Sequence, residues 1–190
     1  SALWRSESGA PPPARVVIAD DRMTADAAYR MACEGTALLW RGDFQNARQL
    51  LQSMARRADR KPLKASATPA EAFHLHRMTQ AQRARALGML LLPLDDDYAI
   101  PLRRAPDVRQ ACVEAYGPGV APSMVSLREL LGLIGAHEWR KKGVEISALE
   151  DRIHPHYGVF SPVRGEYVGL VAEPPLPSKE LAFDIGTGTG

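Results

Sequence analysis

The chain has 190 residues, of which 45% are hydrophobic and 24% charged, and its formal net charge is +2. This balance is typical of a globular protein and excludes collagen-like and long disordered chains. The longest apolar run, residues 87–94, contains a glycine and a proline and is far shorter than the ~20 residues of a membrane span. Because the first residues contain no apolar signal core, we expect a cytoplasmic protein without membrane association. The small net charge permits a nucleic-acid partner but does not require one.

The N-terminal region predicts an arm followed by a short strand. Residues 1–14 include three consecutive prolines and read as flexible, whereas residues 15–19 are β-branched and precede Asp20 and Asp21. Two acids after a strand resemble the start of a response-regulator receiver. That fold requires a second apolar strand at about residues 50–57. This segment instead has a helical and basic pattern. We therefore expect a short strand whose two aspartates are solvated.

The middle of the chain is dominated by helical periodicity. Thr24 and Asp43 are candidate N-caps of two helices that we expect to form an antiparallel hairpin, and the sequence Thr68-Pro-Ala-Glu is a strong helix start. Both cysteines, Cys33 and Cys112, fall in helical patterns and are expected to be buried. Five helices are predicted, over about 24–39, 43–60, 68–92, 106–116 and 126–142.

After Gly143 the pattern changes to short alternating segments. Residues 144–157 predict a β-hairpin in which His154 and His156 share a face. Two histidines without a third and fourth ligand do not make a metal site, so no metal is expected. A short helix over residues 164–172 and a proline-rich connector follow.

The last ten residues carry the most specific pattern. The apolar residues Leu181-Ala182-Phe183 predict a strand that runs directly into Asp184-Ile-Gly-Thr-Gly-Thr-Gly. Alternate glycines after a strand let the backbone approach a ligand closely. The segment lacks the lysine of a phosphate-binding P-loop. It resembles motif I of class I S-adenosylmethionine-dependent methyltransferases. The resemblance implies S-adenosylmethionine as cofactor and assigns it to the following residues: Asp184, Gly186, Thr187, Gly188, Thr189 and Gly190.

Residues 143–190 further resemble the HemK-type branch, the glutamine N5-methyltransferases. Arg164 and Leu170-Val171 match its turn and short helix, whereas Val163 replaces the proline that precedes the arginine in that branch. The resemblance implies an N-terminal helical domain that recognises the substrate, and a catalytic motif beyond Gly190. The predicted fold class is mainly α: a helical N-terminal domain, a small β-hairpin and the first strand of a truncated Rossmann-like α/β methyltransferase domain.

This interpretation divides the chain into an arm with a short strand (1–23), a helical substrate-recognition domain (24–142), a hairpin linker (143–163) and the start of the methyltransferase domain (164–190). The methyl acceptor is expected to be a macromolecule, either a protein glutamine or a nucleic acid. By itself, the chain is expected to be inactive. The alternative is a non-catalytic helical module that binds protein or nucleic acid. Candidate substrate contacts are the basic residues Arg56, Arg57, Arg60, Lys61 and Arg164.

Overall fold

The computed structural model describes residues 2–60 and 68–159, together with 169, 170, 175, 180, 181 and 183. The chain divides into two compact units, Ser1–Gly132 and Leu133–Gly190. The described strands are β1 (Leu3–Arg5), β2 (Arg15–Ala19), β3 (Thr36–Trp40), β4 (Leu90–Leu94), β5 (Ser123–Ser126), β6 (Val144–Ile146) and β7 (Asp151–Ile153). The described helices are α1 (Ala25–Cys33), α2 (Phe44–Asp59), α3 (Pro69–Leu87), α4 (Arg109–Tyr116) and α5 (Leu127–Lys142), with a 3-10 turn at Ser147–Leu149.

A five-stranded mixed sheet in the order β1-β5-β4-β3-β2 organises the first unit. Strands β2, β3 and β4 are parallel neighbours, β5 runs antiparallel to β4, and β1 is parallel to β5. The connections between the three parallel strands contain α1, α2 and α3. Helix α1 packs against β3 and α2, and α3 contacts both α1 and α2. The fold is therefore α/β.

The core lies between the sheet and these helices. Leu38, Trp40, Leu90 and Leu92 are fully buried on the strands, and α2, which packs on α1 and α3, buries one face of its helix. The α2 residues buried in this way are Phe44, Ala47, Leu50, Leu51 and Met54. Full burial of one large aliphatic or aromatic side chain contributes roughly 1.5–3 kcal/mol, so this layer dominates the stability of the unit.

The predicted helix caps are present. The side chain of Thr24 accepts a hydrogen bond from the backbone N–H of Ala27, and that of Thr68 accepts one from Glu71. Asp43 caps α2 by accepting from Gln45 N at 2.8 Å. Each of these bonds satisfies a donor that the first turn of a helix leaves without an intrahelical partner.

The expectation of a mainly α domain over residues 24–142 is not confirmed, because three strands of the sheet lie within it. Residues 36–40 were predicted to continue the first helix, but Gly35 has a φ of +80° and ends it. Strand β3 then separates α1 from α2, so these helices do not form the predicted antiparallel hairpin. The prediction of a helix here was wrong because β3 is buried on both faces. A short continuous apolar run of this kind fits helix and strand periodicity equally well.

Two further segments differ from the prediction. The predicted N-terminal arm contains β1, which pairs with β5. Residues 90–94 form β4 instead of the end of a long helix, and α3 ends before Gly88. Cys33 is exposed at the end of α1, contrary to expectation, whereas Cys112 is buried.

In the second unit, β6 and β7 pair antiparallel as a hairpin in the predicted region. His154 Nδ1 donates to the carbonyl of Arg140 in the last turn of α5, at 2.6 Å. This histidine therefore provides a hydrogen-bond donor to one of the last carbonyl groups of the helix. Gly169 and Leu170 have helical backbone, whereas Leu181 and Phe183 lie outside any strand with side chains 69% and 82% exposed. The other residues of the predicted methyltransferase start, 164–190, lie outside the described residues.

Across the described residues, no helix combines the length and the hydropathy that crossing a membrane requires.

Candidate functional site

The carboxyl ends of β2 and β3 meet at one edge of the sheet, where α/β sheets commonly bind ligands. Asp20 and Asp21 follow β2, and Gly42 and Asp43 follow β3. Asp21 Oδ1 accepts from Asp43 N and from Asn46 Nδ2, both at 3.0 Å. Asp21 is exposed, in agreement with the expectation that it is solvated, and its carboxylate in addition joins the two loops.

Gly42 is required by this close approach. A Cβ at position 42 would lie 2.4 Å from Asp21 Oδ1 and 2.9 Å from its backbone nitrogen. Neither distance is compatible with a side chain, so the two loops can meet only around a glycine.

Asp43 is the centre of a second set of contacts. Its side chain is 3% exposed, and Oδ2 accepts from Arg104 Nε at 2.7 Å. The hydrogen bond from Arg104 holds the pKa of Asp43 below its usual value. The same contact fixes Arg104, whose φ of 55° is uncommon for a residue with a side chain.

Two further carboxylates near this edge, those of Asp20 and Asp97, are also paired with cations. Asp20 accepts from Arg22, which lowers the pKa of the aspartate, and Asp97 accepts from Ala99 N and Arg109, with the same effect. A general base must be free to take a proton from a substrate. The paired carboxylates of Asp20, Asp43 and Asp97 are therefore poor candidates for a general base, whereas Asp95 and Asp96, which also follow β4, are exposed.

The arginines near this edge are more accessible. The Arg103 guanidinium is 86% exposed and reaches only to 4.0 Å from Asp43. Arg48 is exposed and donates to Gln45 Oε1, and Gln45 Nε2 in turn donates to the carbonyl of Arg104. Arg48, Arg103 and Arg104 therefore surround the start of α2.

The exposed face of α2 continues this basic surface. Arg48, Gln52, Arg56 and Arg60 are all exposed and follow one another at intervals of four residues. Residues at this spacing lie on one face of a helix, and twelve residues rise by about 18 Å. We call the following set the α2 arginine stripe: Arg48, Arg56, Arg60, Arg103 and Arg104.

Few acids oppose the stripe among the described residues. Asp59 on α2 accepts from Arg83 at 2.7 and 3.1 Å, and this contact lowers its pKa. Arg56 donates only to Ser53 Oγ at 2.8 Å, and Arg48 only to a neutral glutamine. Within the stripe, Arg48, Arg56 and Arg60 therefore form a solvent-facing line of positive charge along α2, whereas Arg104 is paired with Asp43.

The structure separates the sequence-predicted basic residues into different environments. Arg56 and Arg60 belong to the stripe, whereas Arg57 pairs with Asp26 on α1. Lys61, Arg164 and the predicted cofactor residues Asp184, Gly186, Thr187, Gly188, Thr189 and Gly190 lie outside the described residues, so their roles stay predictions.

Sequence reasoning missed three members of the stripe. Arg48 could have been found from its four-residue spacing to Arg56 and Arg60 on a helix whose buried face was already clear. Arg103 and Arg104 carry no comparable signal, because only the sheet brings the loop after β4 to the start of α2.

A cavity of about 690 Å³ lies between the ends of α1, α2 and α3. Tyr29, Cys33, Asp59 and Arg83 are among its lining residues. Burial raises the pKa of Tyr29, which keeps its hydroxyl neutral. Two of its charged lining residues, Asp59 and Arg83, pair with each other.

No cluster of three or more metal-ligating side chains occurs in the part of the chain that the structure describes. A scan against protein-family models and a search of curated proteins both find no match to this sequence.

Proposed function

We propose that the chain belongs to a class I S-adenosylmethionine-dependent methyltransferase of the HemK-like type and that its first unit binds a nucleic-acid acceptor. The assignment of methyl transfer rests on the sequence of residues 181–190, where an apolar segment precedes Asp184 and three alternate glycines. The three glycines of such a loop have no Cβ atoms, so the backbone at these positions can approach a ligand closely. The finer fold assignment, a Rossmann-like catalytic domain beginning near residue 164, is part of the same proposal.

In such an enzyme, the glycine loop would hold the cofactor and Asp184 would lie beside it. S-adenosylmethionine supplies an activated methyl group for direct displacement by a nucleophile. Positioning donor and acceptor in line is then the main task of the protein. The first unit would contribute to this task by holding the acceptor rather than by proton transfer. Asp20, Asp43 and Asp97 at its sheet edge are each already paired with an arginine.

The single observation that favours a nucleic acid as acceptor is the α2 arginine stripe. Its members Arg48, Arg56 and Arg60 extend along about 18 Å of helix surface, a length that can follow a phosphate backbone. Arginine forms bidentate hydrogen bonds with phosphate, and a nucleic acid presents phosphates at regular intervals. A glutamine side chain is neutral and would not by itself account for such a line of positive charge.

The experiment is a fluorescence-anisotropy titration of the chain with labelled single-stranded RNA and duplex DNA over a range of salt concentrations. The double variant Arg48→Gln/Arg56→Gln is expected to bind at least about tenfold more weakly and to lower the salt slope by about 1.4–1.8, the value for two lost phosphate contacts.

The matched control is Arg15→Gln/Arg30→Gln, which removes the same charge from exposed positions outside the stripe. It is expected to keep most of the affinity and the salt slope. Equal loss of affinity in both double variants would mean that only net charge matters, and no binding at low salt would exclude a nucleic-acid acceptor.

A further inference from the structure

Arg5 on β1 has an unusual environment. It is half-buried, and its Nε is fully buried without a hydrogen-bond partner. Its guanidinium carbon lies 5.6 Å from the ring centroids of both Tyr98 and Tyr116. The face of an aromatic ring attracts a cation, but it is not a conventional hydrogen-bond acceptor for the N–H groups of that cation. The donors of Arg5 are therefore unused within the described residues.

Among the described residues, no hydrogen bond or ion pair joins the Arg5 side chain to an acidic group. The Glu129 carboxylate accepts from the Tyr116 hydroxyl and from Glu7 N at 2.9 Å. Burial raises the pKa of the Cys112 thiol to about 11, so the thiol is neutral at physiological pH. A partly desolvated cation without an anion is unfavourable, which indicates that its partner comes from outside.

Ser123 presents a second unused polar group on the same face. Arg5 is the register partner of Val125 and Leu3 that of Ser123, so Arg5 and Ser123 lie on neighbouring strands two positions apart. Ser123 is 1% exposed, and its hydroxyl has no hydrogen-bond partner among the described residues. Buried hydroxyls are normally paired, so this one also requires a ligand or water.

The aromatic wall beside Arg5 is rigidly held. Tyr98 is fully buried, has a φ of 66° and donates its hydroxyl to the carbonyl of Gly117 at 3.1 Å. A bulky residue in the left-handed region is a rare conformation that tends to occur at functional sites. The ring of Tyr98 is thus fixed against the guanidinium.

We propose that Arg5, Ser123 and the rings of Tyr98 and Tyr116 form a binding site for an oxyanion, the carboxylate or phosphate group of a small ligand. The guanidinium fork fits either group, and the serine hydroxyl supplies a further donor. Because Arg5 is only half-buried, solvent can reach its side chain, whereas the buried Ser123 hydroxyl becomes available to a ligand only when neighbouring side chains move. This inference uses none of the residues in the α2 arginine stripe and is independent of the proposed methyl transfer.

The test is thermal unfolding of the chain in sodium phosphate, sodium acetate and sodium chloride at equal ionic strength. We expect phosphate or acetate at ten times its Kd to raise the midpoint by about 3 °C or more relative to chloride. Arg5→Met is expected to abolish the rise. Ser123→Ala and Arg5→Lys should weaken the anion affinity several-fold, as measured by calorimetric titration.

Two controls separate this site from other basic surfaces. Arg15→Met and Arg48→Gln/Arg56→Gln should keep the full response to the anion. If only phosphate raises the midpoint, the ligand carries a phosphate; if only acetate does, it carries a carboxylate. The proposal is overturned if neither anion stabilises the wild type, or if Arg5→Met and Ser123→Ala both respond as the wild type does.

Discussion

At the scale of single residues, the sheet edge is organised by Asp21 and Asp43, whose long-range contacts have no signature in the sequence. Asp43 was predicted as a helix cap, and its bond to Gln45 N confirms that role. Its second role, binding Arg104 across 61 positions of sequence, could not be predicted because it depends on where the loop after β4 lies. A local hydrogen bond leaves a sequence signature, whereas a long-range ion pair does not.

The paired state of Asp43 predicts a pH-dependent contribution to stability. Its folded-state pKa is lowered, chiefly by the hydrogen bond from Arg104. The stabilisation is therefore fully present at neutral pH and is lost as the pH falls from about 4, the unfolded-state pKa, through the folded value. Asp43→Asn should lower the urea midpoint at pH ~7, and the gap to the wild type should close in acid. A difference in urea midpoint that is the same at both pH values would contradict this. As a control, Asp96→Asn changes an exposed acid after β4 and should leave the urea midpoint almost unchanged.

At the scale of elements, most helix starts, strand β2 and the β6–β7 hairpin were predictable, whereas strands β1, β3, β4 and β5 were not. The caps at Thr24, Asp43 and Thr68 are local, and so is the amphipathic face of α2. The sheet depends on pairing between distant segments. Its central strands are short apolar runs without alternation, because both of their faces are buried. Such a run is also compatible with a buried helix, which explains why β3 and β4 were assigned to helices.

The close approach of the loops after β2 and β3 gives a prediction about two glycines. Gly42→Ala should destabilise the protein by about 1–3 kcal/mol, because the new methyl group collides with Asp21. Gly132→Ala on α5 meets no atom within 4 Å and should be neutral or stabilising by up to about 1 kcal/mol. Urea unfolding of both variants measures the two effects. Equal destabilisation by the two substitutions would show that the loops can move apart at little cost.

At the scale of the whole molecule, the proposed activity combines features from two units. The α2 arginine stripe belongs to Ser1–Gly132, whereas the glycine-rich segment belongs to Leu133–Gly190. The part of the stripe on α2 follows from helix periodicity, whereas Arg103 and Arg104 do not, and the glycine segment is inferred from its resemblance to a methyltransferase motif. Their joint action on one acceptor is a prediction about the full-length protein.

The most direct test of this account is transfer of tritium from methyl-labelled S-adenosylmethionine to RNA or DNA by the full-length protein. We expect label in the nucleic acid with the wild type and its loss with Gly188→Val, since valine adds methyl groups where the backbone must approach the cofactor. Arg48→Gln/Arg56→Gln should raise the KM for nucleic acid about tenfold. Gly132→Ala should leave transfer unchanged. Nucleic-acid binding without any transfer of label would contradict the account and favour a non-catalytic binding module instead.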